Sequence, residues 1–250
     1  MRFVILIIGA YLLGSIPFGL IIAKAHGKDL RSIGSGNIGA TNLSRALGKK
    51  WAYFCFALDV TKGLVPMLAA AFILSSPPSM RELFLWLAVG CAAILGHIFP
   101  IYIGFRGGKG VATSFGVALG LWPYYTICAS VAFAVWVVLV MIWRYVSLAS
   151  IAASITFPIT LILAIALSPS WDFANLWPLF TVATAIPLMV IIRHRENIKR
   201  LIAGTESKIS KDRTKTHQEQ ERRHKDSTLP SCRAVGSKGP SGQPKRSGNG

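Results

Sequence analysis

Six long apolar runs constrain the fold of this chain more than any other feature of its sequence. A helix that crosses a bilayer needs about 20 mostly apolar residues. Runs near that length cover residues 3–23, 51–74, 83–103, 123–143, 146–167 and 177–192, and a shorter run covers 111–121. Charged residues make up 15% of the sequence, against about 25% in soluble domains. The pattern predicts an all-α, polytopic membrane helix bundle.

The distribution of lysine and arginine predicts how the bundle is oriented. Segment 24–50 is rich in both residues, whereas segment 168–176 has neither. Basic loops face the cytoplasm, so the N-terminus is expected outside and the C-terminus in the cytoplasm. The alternation then requires two crossings within 111–143, which gives about seven transmembrane helices. A re-entrant hairpin at 111–121 is the alternative that stays open.

Two departures from this apolar pattern predict further features. Residues 207–250 are rich in Lys, Arg, Ser, Gly and Gln and lack aliphatic clusters, so we expect a disordered basic cytoplasmic tail after a membrane domain at 1–206. Asp59 and Lys62 stand three residues apart within an apolar run. Charges at that depth face a bundle interior or a cavity. A structural ion pair and a role beneath an active site are both open for this pair.

The first polar loop has the composition of a phosphate-binding site. Three closely spaced glycines let a backbone approach a ligand and direct N–H groups toward it, and an arginine after them can bind an oxyanion with two hydrogen bonds. An ordinary flexible turn would use some of the same residue types. The residues concerned are Gly34, Ser35, Gly36, Asn37, Gly39, Thr41, Asn42 and Arg45.

A second loop, Gly107-Gly108-Lys109-Gly110, precedes the short apolar run. Its spacing is not that of a Walker A motif, but a glycine turn at a helix start offers N–H groups and a cation to an anion. The earlier His97 is interpreted as a packing residue. Two later pairs share helix faces at a spacing of three residues, namely Ser147 with Ser150 and His194 with Asn197. We expect these clusters to converge on one phosphorylated ligand.

These motifs resemble those of the bacterial glycerol-3-phosphate acyltransferases that use acyl phosphate as donor. The resemblance covers residues 1–206, in order, and includes Gly14-Ser15-Ile16-Pro17-Phe18-Gly19 as well as segment 193–206. It implies transfer of a fatty acyl group to the sn-1 hydroxyl of glycerol 3-phosphate, giving lysophosphatidic acid and phosphate. It also implies a bacterial inner-membrane enzyme with a cytoplasmic active site. A transporter of phosphorylated solutes is the alternative function.

The resemblance implies that the site is lined by Ser35, Arg45, Lys109, Ser150, His194 and Asn197, with Gly36 and Asn37 in the phosphate-binding loop. Together with the loop compositions and spacings above, it leads to the following roles. Ser35, Arg45, Lys109, His194 and Asn197 are expected to be catalytic, and Gly36, Asn37, Thr41, Asn42, Gly107, Gly108, Ser147 and Ser150 to bind substrate. No metal, cofactor or nucleic acid is expected. The expected partners are the two substrates and membrane lipid, and a contact with the enzyme that produces acyl phosphate stays open.

Overall fold

The computed structural model of the protein describes residues 1–76, 78–169, 171 and 173–209. All regular secondary structure in these ranges is helical, which confirms the predicted all-α class. The helices are α1 Arg2–Gly14, α2 Phe18–Ala25, α3 Ala40–Leu47, α4 Lys49–Ala71, α5 Met80–Ile98, α6 Val111–Gly120, α7 Tyr124–Trp143, α8 Val146–Leu167, α9 Phe173–Arg193 and α10 Arg195–Ile202, with a 3₁₀ turn at Ile101–Ile103.

Six segments of the described chain are long and apolar enough to cross a membrane, judged by length and composition. They coincide with the six long runs of the sequence, and large apolar side chains such as Ile5, Met141 and Ile162 are exposed on them, as expected where lipid is the solvent. Helix α6 has only 10 residues and is about 15 Å long, half of a ~30 Å hydrocarbon core. The total of about seven crossings and the orientation remain predictions.

The first span is broken, whereas we expected one helix over residues 3–23. Helix α1 ends at Gly14 and α2 begins at Phe18, because Pro17 has no backbone N–H to continue the helical bonding. In the break, the carbonyl of Ile16 accepts hydrogen bonds from the Phe18 N–H at 3.1 Å and from Lys62 Nζ at 2.9 Å. This carbonyl is therefore hydrogen-bonded within the protein, as is required in a bilayer core that contains no water.

Helices α4 and α6 touch through their backbones. A Cβ atom built on Gly63 would lie 2.3 Å from the Thr113 carbonyl oxygen, and one on Gly116 would lie 2.0 Å from the Val60 carbonyl oxygen. Only glycine permits this approach. The contact brings the start of α6 beside the stretch of α4 that carries Asp59.

The last described residues are tied to the bundle. Ile209 N–H donates to the Arg144 carbonyl at 2.9 Å, and Nε and Nη2 of Arg144 donate to the Ile209 carbonyl at 3.1 and 2.7 Å. Residues 207–209 thus contact the membrane domain, although we had assigned them to the tail. The expected disorder of 210–250 falls outside the described residues.

Candidate active site

A polar cleft of ≈ 820 Å³, counted with its open mouth, collects most of the predicted site residues. Its walls come from the loop before α3, from α3 itself and from the starts of α6, α8 and α10. The predicted residues that line it are Ser35, Arg45, Lys109, His194 and Asn197, together with Asn37, Thr41, Asn42, Ser147 and Ser150. Gly36, Gly107 and Gly108 are not in the lining and lie in the two loops that support it.

Asn42 organises the first loop. Its amide Nδ2 donates to the Leu30 and Ile33 carbonyls at 3.0 and 2.9 Å, and its Oδ1 accepts the Ser35 N–H at 3.1 Å. The side chain is 2% exposed. Both residues line the cleft, but the Asn42 amide is committed to the loop and therefore holds the loop shape.

Glycines let the same loop turn beneath Arg45. Gly36 has φ +66°, a left-handed conformation that a side chain would strain. A Cβ atom on Gly34 would lie 2.6 Å from Asn42 Oδ1 and 3.1 Å from Arg45 Cδ. The Arg45 side chain, which starts in the last turn of α3, therefore lies directly across this loop on its way to the cleft.

The second loop is clamped from two sides. Gly107 and Gly108 donate their N–H groups to the Ile98 and His97 carbonyls, each at 3.1 Å. Arg193 Nη2 donates to the Gly107 and Gly108 carbonyls at 3.4 and 3.1 Å. A short, doubly held loop leaves little freedom to the residue that follows it, so Lys109 leaves the loop in a defined direction.

A chain of hydrogen bonds connects Lys109 to the C-terminal side of the cleft. Lys109 Nζ donates to Asn197 Oδ1, and Asn197 Nδ2 donates to a Glu206 carboxylate oxygen at 2.6 Å. Lysine only donates and an ionised carboxylate only accepts. The Asn197 amide can therefore satisfy both neighbours in one orientation only.

Glu206 is a site residue that the sequence analysis did not single out. Its carboxylate also accepts from Ser147 Oγ at 2.8 Å and from Arg200 Nε at 2.7 Å, and the residue is 9% exposed. Burial by itself raises the pKa of Glu206, but the hydrogen bonds from Arg200, Asn197 and Ser147 hold it below its ordinary value. A buried anion thus balances part of the positive charge of the cleft.

The electrostatics of the cleft distinguish Lys109 from His194. Burial lowers the pKa of Lys109 to about 8, with Glu206 opposing the shift, so the ammonium is charged at neutral pH. Burial and then the Lys109 cation lower the pKa of His194 to about 4. His194 Nδ1 lies 2.8 Å from the Val190 carbonyl. A carbonyl only accepts, so Nδ1 carries the hydrogen and the neutral ring presents Nε2 as an acceptor.

An apolar cavity of ≈ 840 Å³, again counted with its open side, adjoins the polar cleft. Phe56, Val111, Trp136 and Ser150 line both spaces. Ser150 Oγ donates to its own helix at the Val146 carbonyl (2.8 Å) and accepts from Trp136 Nε1 (3.2 Å). This serine therefore lies at the junction and fixes the Trp136 ring there. Farther in, the walls are aromatic and aliphatic, including Phe115, Tyr125, Phe133, Phe157 and Ile186.

Among the residues that the structure describes, no group of three or more His, Cys, Asp or Glu side chains could hold a metal ion.

Comparison with known proteins gives concordant matches. A sequence profile of the family described as glycerol-3-phosphate acyltransferase matches residues 4–204. Glycerol-3-phosphate acyltransferases of Geotalea daltonii and Aquifex aeolicus are each 45% identical to the chain, over 82% of its length and 96% and 98% of theirs. A crystal structure of PlsY, an integral membrane glycerol 3-phosphate acyltransferase in its glycerol 3-phosphate form, is 42% identical with a TM-score of 0.71, over 84% of this chain and 96% of that one. Its lysophosphatidic acid form gives a TM-score of 0.69 at the same identity and coverage.

Proposed function

Because the chain belongs to the glycerol-3-phosphate acyltransferase family, we propose that it transfers a fatty acyl group from acyl phosphate to the sn-1 hydroxyl of glycerol 3-phosphate. The products are lysophosphatidic acid and inorganic phosphate. The observation that carries the proposal is the union of a cationic cleft with an apolar cavity through a shared wall. Phosphate groups suit the cleft, and a fatty chain suits the cavity.

In this proposal the cleft residues position the substrates and stabilise charge. Arg45 and Lys109 bind phosphate oxygens and the oxyanion that develops on the acyl carbonyl. Asn197 holds the Lys109 ammonium in place. His194 Nε2, an acceptor, orients the attacking hydroxyl. The Ser35 hydroxyl supplies a further donor to phosphate. The N–H groups of Gly36, Gly107 and Gly108 are bonded to backbone carbonyls, so these glycines shape the two loops.

We infer that the acyl group moves directly between the substrates. The hydroxyl oxygen bonds to the acyl carbon, the bond from that carbon to phosphate breaks with its electron pair leaving on phosphate, and the hydroxyl proton ends on phosphate. A serine nucleophile needs a base within hydrogen-bond reach. Among the described residues, no hydrogen bond joins Ser35 Oγ to a base, and His194 Nδ1 bonds to a backbone carbonyl.

Direct transfer predicts that protein incubated with labelled acyl phosphate alone, then denatured, carries no hydroxylamine-sensitive acyl group on Ser35. Mass spectrometry of the Ser35 peptide measures this. The same incubation with glycerol 3-phosphate added is the positive control for turnover. An adduct at Ser35 that forms and discharges as fast as turnover would contradict the mechanism.

The alkaline pH profile should report Lys109. Its pKa of about 8 in the free enzyme predicts that kcat/KM falls as pH rises through 8, because the ammonium is lost. The corresponding fall in kcat should lie at higher pH, since bound phosphate favours the charged form. Glycerol 3-phosphate stays dianionic over this range because its second pKa is about 6. Lys109→Arg should remove the fall, and a flat kcat/KM up to pH 9.5 in the parent would contradict the assignment.

We further propose that the cleft faces the cytoplasm across a bacterial inner membrane. The loops that build it are the basic ones, 24–50 and 104–110, and basic loops stay on the cytoplasmic side. A cysteine placed at the exposed Lys28, in a Cys232→Ser background, should react with an impermeant maleimide in inside-out vesicles only. Labelling from the outside of intact spheroplasts would contradict this topology.

The function itself is tested with purified protein in detergent. Phosphate release from palmitoyl phosphate should depend on glycerol 3-phosphate, and lysophosphatidic acid should form in equal amount. Glycerol, which lacks the phosphate that the cleft binds, is the matched acceptor control and should be a poor substrate. Release of phosphate that is independent of the acceptor, or no release at all, would contradict the proposal.

A further inference from the structure

A group of three buried ionisable side chains, Asp59, Lys62 and His97, lies beneath the cleft. Asp59 and Lys62 are each 3% exposed and His97 is 6% exposed. Asp59 Oδ1 lies 2.7 Å from Lys62 Nζ and 3.6 Å from His97 Nδ1. Asp59 and His97 are also part of the cleft wall. We call these three residues the buried triad.

The buried triad is anchored on the side away from the cleft. Lys62 Nζ donates to the Ile16 carbonyl in the break of the first span and lies 5.5 Å from the centre of the Phe18 ring. The ammonium therefore has fixed partners on both sides, and it fixes Asp59 in turn. Among the described residues, Asp59 alone lies within ion-pair distance of both Lys62 and His97.

On the cleft side, His97 supports the loop that carries Lys109. A Cβ atom on Gly108 would lie 2.1 Å from His97 Nε2, so the ring fills the space directly beneath that glycine. The His97 carbonyl also accepts the Gly108 N–H at 3.1 Å. The ring and the backbone of His97 thus both fix the position of the 107–110 loop relative to the end of α5.

We propose that Asp59 and His97 are positioning residues, which hold the 107–110 loop where it places the Lys109 ammonium against Asn197. Asp59 attracts the imidazole from the Nδ1 side, the imidazole fills the space beneath Gly108, and the loop presents Lys109 to the cleft. The inference rests on the proposed function in that it takes Lys109 to be a catalytic cation.

The composition of the buried triad argues for such a role. Burying charged groups is costly, and a well-packed apolar core of the same shape is often at least as stable. Packing alone therefore does not explain an ion pair and an imidazole at this place. What the charges add is an electrostatic attraction between Asp59 and the His97 ring, 3.6 Å apart, and that ring lies directly beneath the loop that carries Lys109.

The first test measures Lys109 itself and needs no enzymatic activity. Competitive acetylation at a series of pH values, followed by mass spectrometry, gives the pH at which Lys109 is half-reactive. In the parent this should be about 8. In His97→Ala the loop loses its support and the ammonium becomes better hydrated, so the midpoint should rise toward the ordinary value of about 10.4. The charged groups that act on Lys109 are Glu206, Arg200, Arg45 and Arg193, and none of them is altered.

The second test asks whether the pair acts through Lys109. His97→Ala and Asp59→Asn should each lower kcat/KM about tenfold or more. In a Lys109→Ala background the same changes should alter it less than about twofold, because the group they position is gone. His97→Ala leaves the Asp59–Lys62 ion pair in place, so it tests the inference even if Asp59→Asn does not fold. The proposed function is tested by turnover of the unaltered enzyme, so its failure can be distinguished from failure of the positioning role, which is tested by the variants.

Glu82→Gln is the matched control. This residue caps the start of α5, the helix that ends at His97, and lies about 22 Å away along the axis. Its loss should lower the melting temperature without moving the Lys109 midpoint. The inference is overturned by an unchanged midpoint in folded His97→Ala protein. It is equally overturned by fully additive effects in the Lys109→Ala background.

Discussion

Replacing Lys109 by alanine should lower kcat/KM for acyl transfer by about 10²- to 10³-fold. That range is typical for the loss of one preorganised group that stabilises a developing oxyanion. Lys109 has the position for this role because it lines the cleft, leaves a doubly clamped loop and donates to Asn197. Its pKa of about 8 keeps it charged at neutral pH.

The variant should remain folded. Glu206 keeps three donors when the ammonium is removed, from Ser147, Asn197 and Arg200, so no buried carboxylate is left without partners. Elution in detergent and the melting temperature should match those of the parent. Lys28→Ala removes an exposed lysine that does not line the cleft and should retain full turnover. Near-parental activity in folded Lys109→Ala protein would show that the Lys109 ammonium does not stabilise the transition state of acyl transfer.

The membrane fold was predictable because the bilayer leaves few alternatives. Each long helix needs only a sufficient run of apolar residues, and counting such residues locates it. The same counting missed the break in the first span, since Ile16 and Phe18 are themselves apolar. Only the position of Lys62, which satisfies the freed carbonyl from another helix, shows how the chain can be interrupted there.

The site residues were predictable where their chemistry is local. Glycines on both sides of Ser35 and of Lys109, with Arg45 after the first loop, indicate anion binding before any fold is known. Glu206 gave no such signal, because an acid next to a basic run normally indicates a solvated ion pair. Its importance depends on contacts with Ser147, 59 residues earlier in the chain, and with Asn197. Such contacts form only after the helices have packed.

His97 shows the same limit in another form. A single histidine within an apolar run was interpreted as a packing residue, and it does pack, beneath Gly108. What the sequence pattern omits is that Asp59, on a different helix, lies 3.6 Å from its ring. Pairings across helices depend on the approach of α4, α5 and α6, which the spacing of residues along one helix does not encode.

Palmitoyl-CoA should support turnover at least about 10³-fold more slowly than palmitoyl phosphate at equal concentration. An acyl phosphate brings its phosphate oxygens directly beside the reacting carbonyl, where Arg45 and Lys109 can bind them. A thioester has no charged oxygen at that place, so the binding energy of these cations is not available to the transition state.

The same comparison depends on where the hydroxyl proton goes. In acyl phosphate the leaving phosphate can accept it, whereas a thioester would need a base from the protein, and general-base catalysis contributes about 10²- to 10⁴-fold. Two histidines line the cleft. The His97 ring lies beneath Gly108, and His194, with a pKa of about 4, is a weak base. The measurement is lysophosphatidic acid formation from each donor with the same enzyme preparation and acceptor. Acetyl phosphate is the matched control for the apolar cavity, because it keeps the leaving group and lacks the chain. Equal rates with palmitoyl-CoA and palmitoyl phosphate would refute the donor assignment and would require a protein base stronger than His194.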